Sequence, residues 1–437
     1  MSEPLPPPRW THRARILPWI AAAALLTLTA VMSFVGEDPG GPIPKKVRGM
    51  DLVQYWAGGA VIAAGDAEHL YVRKRTEREI KAIYPPKPPG YMMGYPPPIY
   101  QLAALPQAAL SYPAAAKVTM FAATLLHLAA SAWLLRNVAT LRSWLPWALA
   151  LAFLLPGAIQ TTIAGQLGGL WLAFLALAWR LRAKDRGVLA GMTLAFFMVK
   201  PTLLAPVGLA FCALGELQVL LGVALGCTAI VTASWAAPGG AVAWDAWLHR
   251  AADPAAMLSQ FWHFSSRQIN LRSLIGGLFT DKSTANLAGW AGMALGGALT
   301  FATAWPRWRD RSALAAAAGV VDPDRANLQL GAVLSAAFLT GPHFLEYDFA
   351  LHLVGLAASA AWLVGRRARW PRAGAWLLAG AWLSVAVIKL NKPIHFNVTT
   401  VLVVSWVAWM CAELWASRPM GTTSPDALPA RLPPVGA

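Results

Sequence analysis

Residues 187–214 read GVLAGMTLAFFMVKPTLLAPVGLAFCAL. The run is long enough to cross a bilayer once, yet the VKP at 199–201 interrupts it with a charge and a helix breaker. Proline lacks a backbone donor and disfavours helical geometry in the residue before it. The stretch is therefore either one long tilted helix or two short ones meeting at Lys200. The basic segments elsewhere choose between these. RLRAKDR (180–186), WPRWRDR (305–311) and GRRARWPR (365–372) lie in short loops between apolar runs, and such loops face the cytoplasm. A single span over 187–214 would put the last two on the opposite side from the first; two spans keep all three together. The preferred count is about twelve spans, within a range of eleven to thirteen, with both termini cytoplasmic.

Composition sets the class. The 437 residues are 57% hydrophobic and only 13% charged, against about 25% charged in a soluble domain, and the mean hydropathy is +0.49. The 22 Trp suit two interfacial belts. A formal net charge of +16 can signal nucleic acid. Here the basic residues are spread through short loops, so membrane topology explains them and no nucleic-acid partner is expected. Cys212, Cys227 and Cys411 sit in apolar runs without metal spacing and read as small core residues.

The expected fold is an all-α integral membrane bundle. A basic tail (1–15) precedes an apolar run at 16–35 that is retained rather than cleaved. One polytopic domain covers 16–415, and a C-terminal tail (416–437) is expected to be cytoplasmic and disordered. Further spans fall at about 115–135, 144–161, 164–180, 217–235, 286–304, 327–341, 347–364, 373–388 and 394–415. Two loops on the far side are too long to be mere connections. The first, 36–113, holds an amphipathic candidate helix at 51–64, a charged one at 73–83, a stiff Pro/Gly/Tyr stretch at 84–98 and a short apolar segment at 99–110. The second, 236–285, interleaves aromatics with Arg267, Asn270, Arg272 and Ser273, as a lid or substrate wall would.

Lys200, Lys389 and Lys392 break the positive-inside pattern, because they map to the external ends of apolar segments. Lys389, Lys392 and His395 share KLNKPIH (389–395). Such cations either snorkel to headgroups or seat an anion, here a phosphate or pyrophosphate carried on a lipid. Asp51 opens the first external loop, where it can act as a base or cap the helix that follows. His343, Glu346, Tyr347 and Asp348 form the densest polar cluster, at a helix start. His343 there is a candidate for proton transfer or phosphate contact, and Asp348 for a cap or a sugar contact. Arg267 and Arg272 contact substrate or form a solvated face. Gln166 binds polar groups or satisfies a helix contact. Tyr55 and Tyr95 stack on a ligand or anchor the interface. His12, His69, His127 and His249 lack metal-ligand spacing, and neither a metal nor another cofactor is expected.

Six stretches together resemble the bacterial polytopic glycosyltransferases of family 87, which include polyprenyl-phosphate-mannose-dependent mannosyltransferases. They are RGMDLVQYWAGGAVIAAGDAEHLY (48–71), GYPPPIYQLAALP (94–106), AGQLGGLWLAFLALAWRL (164–181), GVLAGMTLAFFMVKPTLLAP (187–206), QINLRSLIGGLF (268–279) and GPHFLEYDFALHLVGLA (341–357). Each motif is weak alone; their order carries the resemblance. It implies a GT-C-type bundle in the bacterial inner membrane with its site facing the periplasm, and Asp51 as the catalytic base.

The chemistry agrees. A donor on the external face cannot be a cytoplasmic nucleotide sugar, whereas a lipid-phosphate sugar leaves as a phosphate without needing an acid. Inversion then requires one carboxylate to take the acceptor proton and cations to hold the phosphate. The expected enzyme is inverting and monomeric. It moves a hexose from a polyprenyl-phosphate donor to a lipid-linked or envelope glycan acceptor, with mannose implied by the resemblance alone. The alternative is a transporter or flippase of an anionic lipid or lipid-linked sugar, which would show an internal repeat; no clear duplication is visible.

Overall fold

Proline punctuates the helices. In the computed structural model, among the described residues, seven helices carry a proline in their first two positions, where the missing N–H is not needed and the fixed φ suits the helix. The structure describes residues 14–34, 50–83, 94–108, 110–251, 267–316, 322–342, 344–391 and 396–417. In chain order the helices are α1 (Leu17–Phe34), α2 (Met50–Ala63), α3 (Arg73–Ile83), α4 (Pro97–Ala104), α5 (Tyr112–Arg136), α6 (Leu145–Phe153), α7 (Pro156–Ala164), α8 (Gly168–Arg182) and α9 (Gly187–Leu194). They continue as α10 (Pro201–Ala213), α11 (Leu217–Ala236), α12 (Gly240–Ala251), α13 (Leu271–Gly276), α14 (Lys282–Ala316), α15 (Pro323–Phe338), α16 (Leu353–Val364), α17 (Pro371–Leu383) and α18 (Val398–Ala416). Among the described residues the one departure from helix and turn is an antiparallel bridge between Gln268 and Leu345.

This is a multi-span helical membrane protein. Among the described residues six helical stretches are long and apolar enough to cross a bilayer alone: Ala14–Val31, Tyr112–Arg136, Leu217–Ala236, Lys282–Pro306, Glu346–Val364 and Val398–Ala416. A seventh is the bent pair Ala139–Phe153 and Pro156–Thr162, which turns by 41°. That is fewer than the expected twelve, because several apolar runs are divided into shorter helices. Gly187–Val199 and Pro201–Ala213 are two of them. α15, at 16 residues, is also short, and it is deeply enclosed, with Leu328 to Phe338 buried throughout. Trp19, Leu125, Leu221, Leu295 and Trp376 lie exposed on helix flanks, where hydrocarbon rather than water is the suitable neighbour.

The run 187–214 is two helices, not one. α9 passes into a 3-10 turn over Ala195–Val199, Lys200 leaves helical geometry at φ −130 and ψ 79, and α10 begins at Pro201. Both ends of the run lie at the same end of the bundle. A Cβ on Gly187 would sit 2.8 Å from the Gln218 side chain, only four residues past Leu214. α9 then runs along α11 at backbone contact distance: a Cβ on Gly191 would fall 2.0 Å from the Val219 carbonyl oxygen, and one on Gly222 would fall 2.0 Å from that of Val188. Small residues allow this approach where no hydrophobic force drives helices together.

The helices are polarised. α8 and α10 both end at the ion pair in which Arg182 Nε meets Glu216 Oε1 at 2.8 Å. α16 ends in the basic loop where Arg367 pairs with Asp322, the residue that caps α15. There Glu413, near the end of α18, accepts the Arg369 and Trp370 backbone N–H groups at 2.8 and 2.9 Å. The opposite ends of these same helices meet one another in a second polar cluster, described below.

The close approach of α9 and α11 predicts that Gly191→Leu is destabilising by about 1–3 kcal/mol, as overpacking is. Gly208→Ala, whose added Cβ meets nothing within 4 Å, should leave the melting temperature unchanged. Thermal unfolding of the two purified variants in one detergent checks both.

Candidate functional site

The cluster is organised around the helix break. Pro201 forces Lys200 out of helical geometry, and its side chain, 2% exposed, lies inside the bundle. Lys200 Nζ donates to Asp348 Oδ1 at 2.5 Å. The Tyr347 ring lies 4.9 Å from the same Nζ, a cation–π distance. Asp348 has a second anchor: its Oδ2 accepts the Leu345 backbone N–H at 3.2 Å. Tyr347 and Asp348 belong to a buried 3-10 turn, Glu346–His352, that leads into α16. α7 and α8 support this turn, since Thr161 Oγ1 donates to the Tyr347 carbonyl at 2.8 Å.

The second long loop clamps the turn from the other side. Ile269 N–H donates to the Phe344 carbonyl at 2.7 Å and Leu271 N–H to that of Leu339 at 3.0 Å. Arg267 Nε donates to Glu346 Oε1 at 2.7 Å. Asn270 caps α13, its Oδ1 accepting the Ser273 N–H at 2.7 Å. Asn397 ties in the last helix: its Oδ1 caps α18 through the Thr400 N–H at 3.0 Å, while its Nδ2 donates to the Gln268 carbonyl at 2.8 Å and to Ser273 Oγ at 3.0 Å. Asn391 Nδ2 reaches Asn397 Oδ1 at 3.1 Å. Asn391 is thereby joined to Asn397, and Asn397 ties the start of α18 to the Gln268–Ser273 stretch.

Among the described residues, buried polar atoms near these elements without a hydrogen-bond partner include Asn270 Nδ2, Glu346 Oε2, Thr202 Oγ1 and Thr400 Oγ1. An unsatisfied buried group costs about 1–3 kcal/mol. Their presence at one end of an apolar bundle suits a polar ligand that satisfies them.

The expected site residues divide. Lys200, Asp348, Arg267 and Asn270 come together in the cluster. Arg272 points elsewhere: it is buried, its Nη2 donates to Asn286 Oδ1 at 3.2 Å, and its guanidinium lies 5.5 Å from the Trp290 ring on α14. Burial pulls its pKa below the usual guanidinium range. Gln166, buried beyond the left-handed turn at Gly165 (φ 64), lines a small cavity with Thr124, His127, Thr161 and Thr162 between α1, α5, α7 and α8. It belongs to that internal packing rather than to the Lys200 cluster. Tyr55 and Tyr95 pack edge-to-face with ring centroids 5.2 Å apart, and the Tyr95 carbonyl accepts from Tyr71 Oη at 2.8 Å. They form the core of the first loop, which α12 covers through Arg250 Nη1 on the Tyr71 carbonyl at 3.3 Å. Asp51 stands in the first turn of α2. His343, Lys392 and His395, and the side chains of Asp51 and Lys389, lie outside the described residues.

Gln268, Asn391 and Asn397 were not singled out from sequence, while Glu346, Tyr347 and Ser273 were noted there without an assigned role. Glu346 and Tyr347 immediately precede Asp348, which was a signal; the two asparagines carried none beyond their place around the lysines. In the first loop, Asp66, Glu68 and His69 bring ligand-type atoms within 4.8 Å of one another. Arg75 and His69 already engage the Asp66 carboxylate and hold its pKa below the usual range, so the group reads as an exposed ion-pair network.

The architecture defines a polytopic helical membrane protein whose broken helix ends gather a buried cation, carboxylates and amides at one end of the bundle. A model of glycosyltransferase family 87 matches residues 95–322, more than half of the chain. The chain belongs to this family and is a glycosyltransferase. The matched span includes Lys200, Arg267 and Asn270, while Asp51, Asp348 and the KLNKPIH segment lie outside it. No curated protein and no solved structure matches the chain.

Asn397→Ala should lower unfolding stability by about 1–2 kcal/mol through the lost helix cap. It should also reduce transfer activity, by releasing the Gln268–Ser273 stretch from the start of α18. Thermal unfolding and a transfer assay on the same preparation check this; unchanged values in both would deny Asn397 that role.

Proposed function

We propose that the protein is an inverting, metal-independent glycosyltransferase that takes a hexose, mannose first among candidates, from a polyprenyl-phosphate donor. The acceptor is a lipid-linked or envelope glycan at the external face of the bacterial inner membrane. The observation that carries this reading is Lys200, an ammonium 2% exposed at the junction of two short apolar helices. Charged groups at membrane depth mark substrate paths, and broken helices are where membrane proteins present charges and helix ends to ligands. An anion borne on a lipid reaches such a position through the bundle wall, which a soluble nucleotide sugar does not.

In this reading Lys200 seats the donor phosphate. Lys389, Lys392 and His395 add positive charge, and His343 assists at the phosphate or the proton. Arg267 and Asn270 face the sugar side, with Asp348 beside them. Asp51, at the start of α2, removes the proton from the acceptor hydroxyl as that oxygen attacks the anomeric carbon. The bond from that carbon to the phosphate oxygen breaks, and polyprenyl phosphate leaves as an anion. A β-linked donor thus gives an α-glycoside. Twelve spans, with α9 and α10 counted as two, place both termini in the cytoplasm and the Lys200 cluster outside.

Two experiments test this. Asp51→Asn keeps size and capping ability but removes the base, so turnover of labelled polyprenyl-phosphate mannose should fall at least about a hundredfold with expression unchanged. A variant that turns over near the wild-type rate would remove Asp51 from catalysis. Cysteines placed at Arg182 and Arg367 should be shielded from an impermeant thiol reagent in intact cells, and one at Glu68 should be labelled. External labelling at Arg367 would reject the orientation.

A further inference from the structure

The Lys200–Asp348 pair is closed on itself: the ammonium is 2% exposed and the carboxylate 1%. Such a pair gains little stability over apolar side chains of the same volume, yet removing one partner strands a buried charge. Lys200 therefore requires an anion beside it whenever the site is closed, and a donor phosphate that reaches Nζ meets one already there.

Three features make that anion exchangeable. Lys200 Nζ carries three protons but makes a single described hydrogen bond, to Asp348 Oδ1. Asp348 keeps a second anchor in the Leu345 N–H and stands in the first turn of the Glu346–His352 segment, where backbone N–H groups favour a negative charge. Its carboxylate can thus release Nζ without being stranded. Both partners also sit at weak points of the backbone. Lys200 lies at the helix break, and Asp348 lies in a 3-10 turn, whose hydrogen bonds have poorer geometry than those of an α-helix. Two residues on from Lys200, Thr202 Oγ1 is a buried hydroxyl with no hydrogen-bond partner.

We propose that Asp348 is the resident counter-ion of the phosphate seat. It neutralises Lys200 between turnovers, yields Nζ to the donor's phosphodiester, and retakes Nζ to expel the polyprenyl phosphate left after transfer. This inference rests on the reading of Lys200 as the phosphate seat. Asp348 is a positioning residue: it acts through the ammonium and competes with the lipid phosphate for it.

The test is a thermal-shift titration of the intact purified protein in detergent, with farnesyl phosphate as probe and farnesol as its uncharged control. Wild type should bind farnesyl phosphate in preference to farnesol. Asp348→Asn removes the competitor and should bind it about tenfold more tightly, since a buried lysine left unpaired gains most from a new anion. In turnover assays the same variant should show stronger inhibition by the lipid phosphate and a lower kcat with an undiminished apparent donor affinity. Lys200→Met together with Asp348→Leu replaces the pair by apolar side chains; it should melt near wild type and lose the preference for farnesyl phosphate.

Equal or weaker binding by Asp348→Asn would overturn the inference and leave the pair as a structural tie. Failure of farnesyl phosphate to recover an unstable Asp348→Asn would overturn it as well, because the phosphate would then not substitute for the carboxylate. Wild-type affinity in the double variant would show that the phosphate binds elsewhere. If wild type itself does not distinguish farnesyl phosphate from farnesol, the lipid-phosphate reading falls and the counter-ion role falls with it. If wild type binds and only the Asp348→Asn prediction fails, the donor reading stands.

Discussion

A charge inside an apolar bundle must be neutralised where it lies, and this constraint organises the polar end of the molecule. Lys200 reaches the interior because Pro201 prevents the helix from continuing through it. Its neutralising partner, Asp348, arrives from a turn 148 residues away. That turn cannot be an isolated loop, since it must present a carboxylate to a fixed point. It is accordingly held on one side by Thr161 through the Tyr347 carbonyl, and on the other by the Gln268–Leu345 bridge and the Arg267–Glu346 pair. Each support comes from a different helix or loop, so the ends of α7, α10, α13, α16 and α18 converge around one ion pair.

The same helices diverge to the basic loops, where the chemistry is of another kind. Arg182 with Glu216, and Arg367 with Asp322, are partly exposed pairs that close helix ends. Pairs of this type contribute little energy individually and serve mainly to anchor neighbouring helices. At the Lys200 end the pair is closed from solvent and several polar atoms around it lack partners. What sets the Lys200 end apart from the basic-loop end is that its ion pair is closed from solvent. Between them α15 supplies the apolar spine, with Gly331 facing Gly355 of α16 so closely that an added Cβ would lie 2.8 Å from the opposing Cα.

Much of the local structure was legible from residue order. The helix candidate at 73–83 and the short helix opening at Met50 are present. Proline and glycine mark the helix starts and the turn at Gly165. The interruption at Lys200 is present because a Lys–Pro junction acts through its own backbone, whatever surrounds it. The division of apolar runs into helices too short to span alone was less legible. Hydropathy records how apolar a stretch is and says little about where its helix bends or stops.

What the sequence by itself determined was the class of the molecule, the interruption at Lys200, and the set of charged residues that do not fit the basic-loop pattern. These follow from composition and from interactions within a few residues. Only the tertiary structure decided which of those residues meet. Arg272 and Arg267 are five positions apart, yet one turns to Asn286 and Trp290 while the other turns to Glu346. Gln166 lies in an internal cavity, Tyr55 and Tyr95 pack on each other, and Asn397 spans 129 residues to reach the Gln268 carbonyl. The direction of a side chain inside a bundle depends on helix rotation and on which neighbours leave a polar atom to satisfy, and neither is written in the order of residues along the chain.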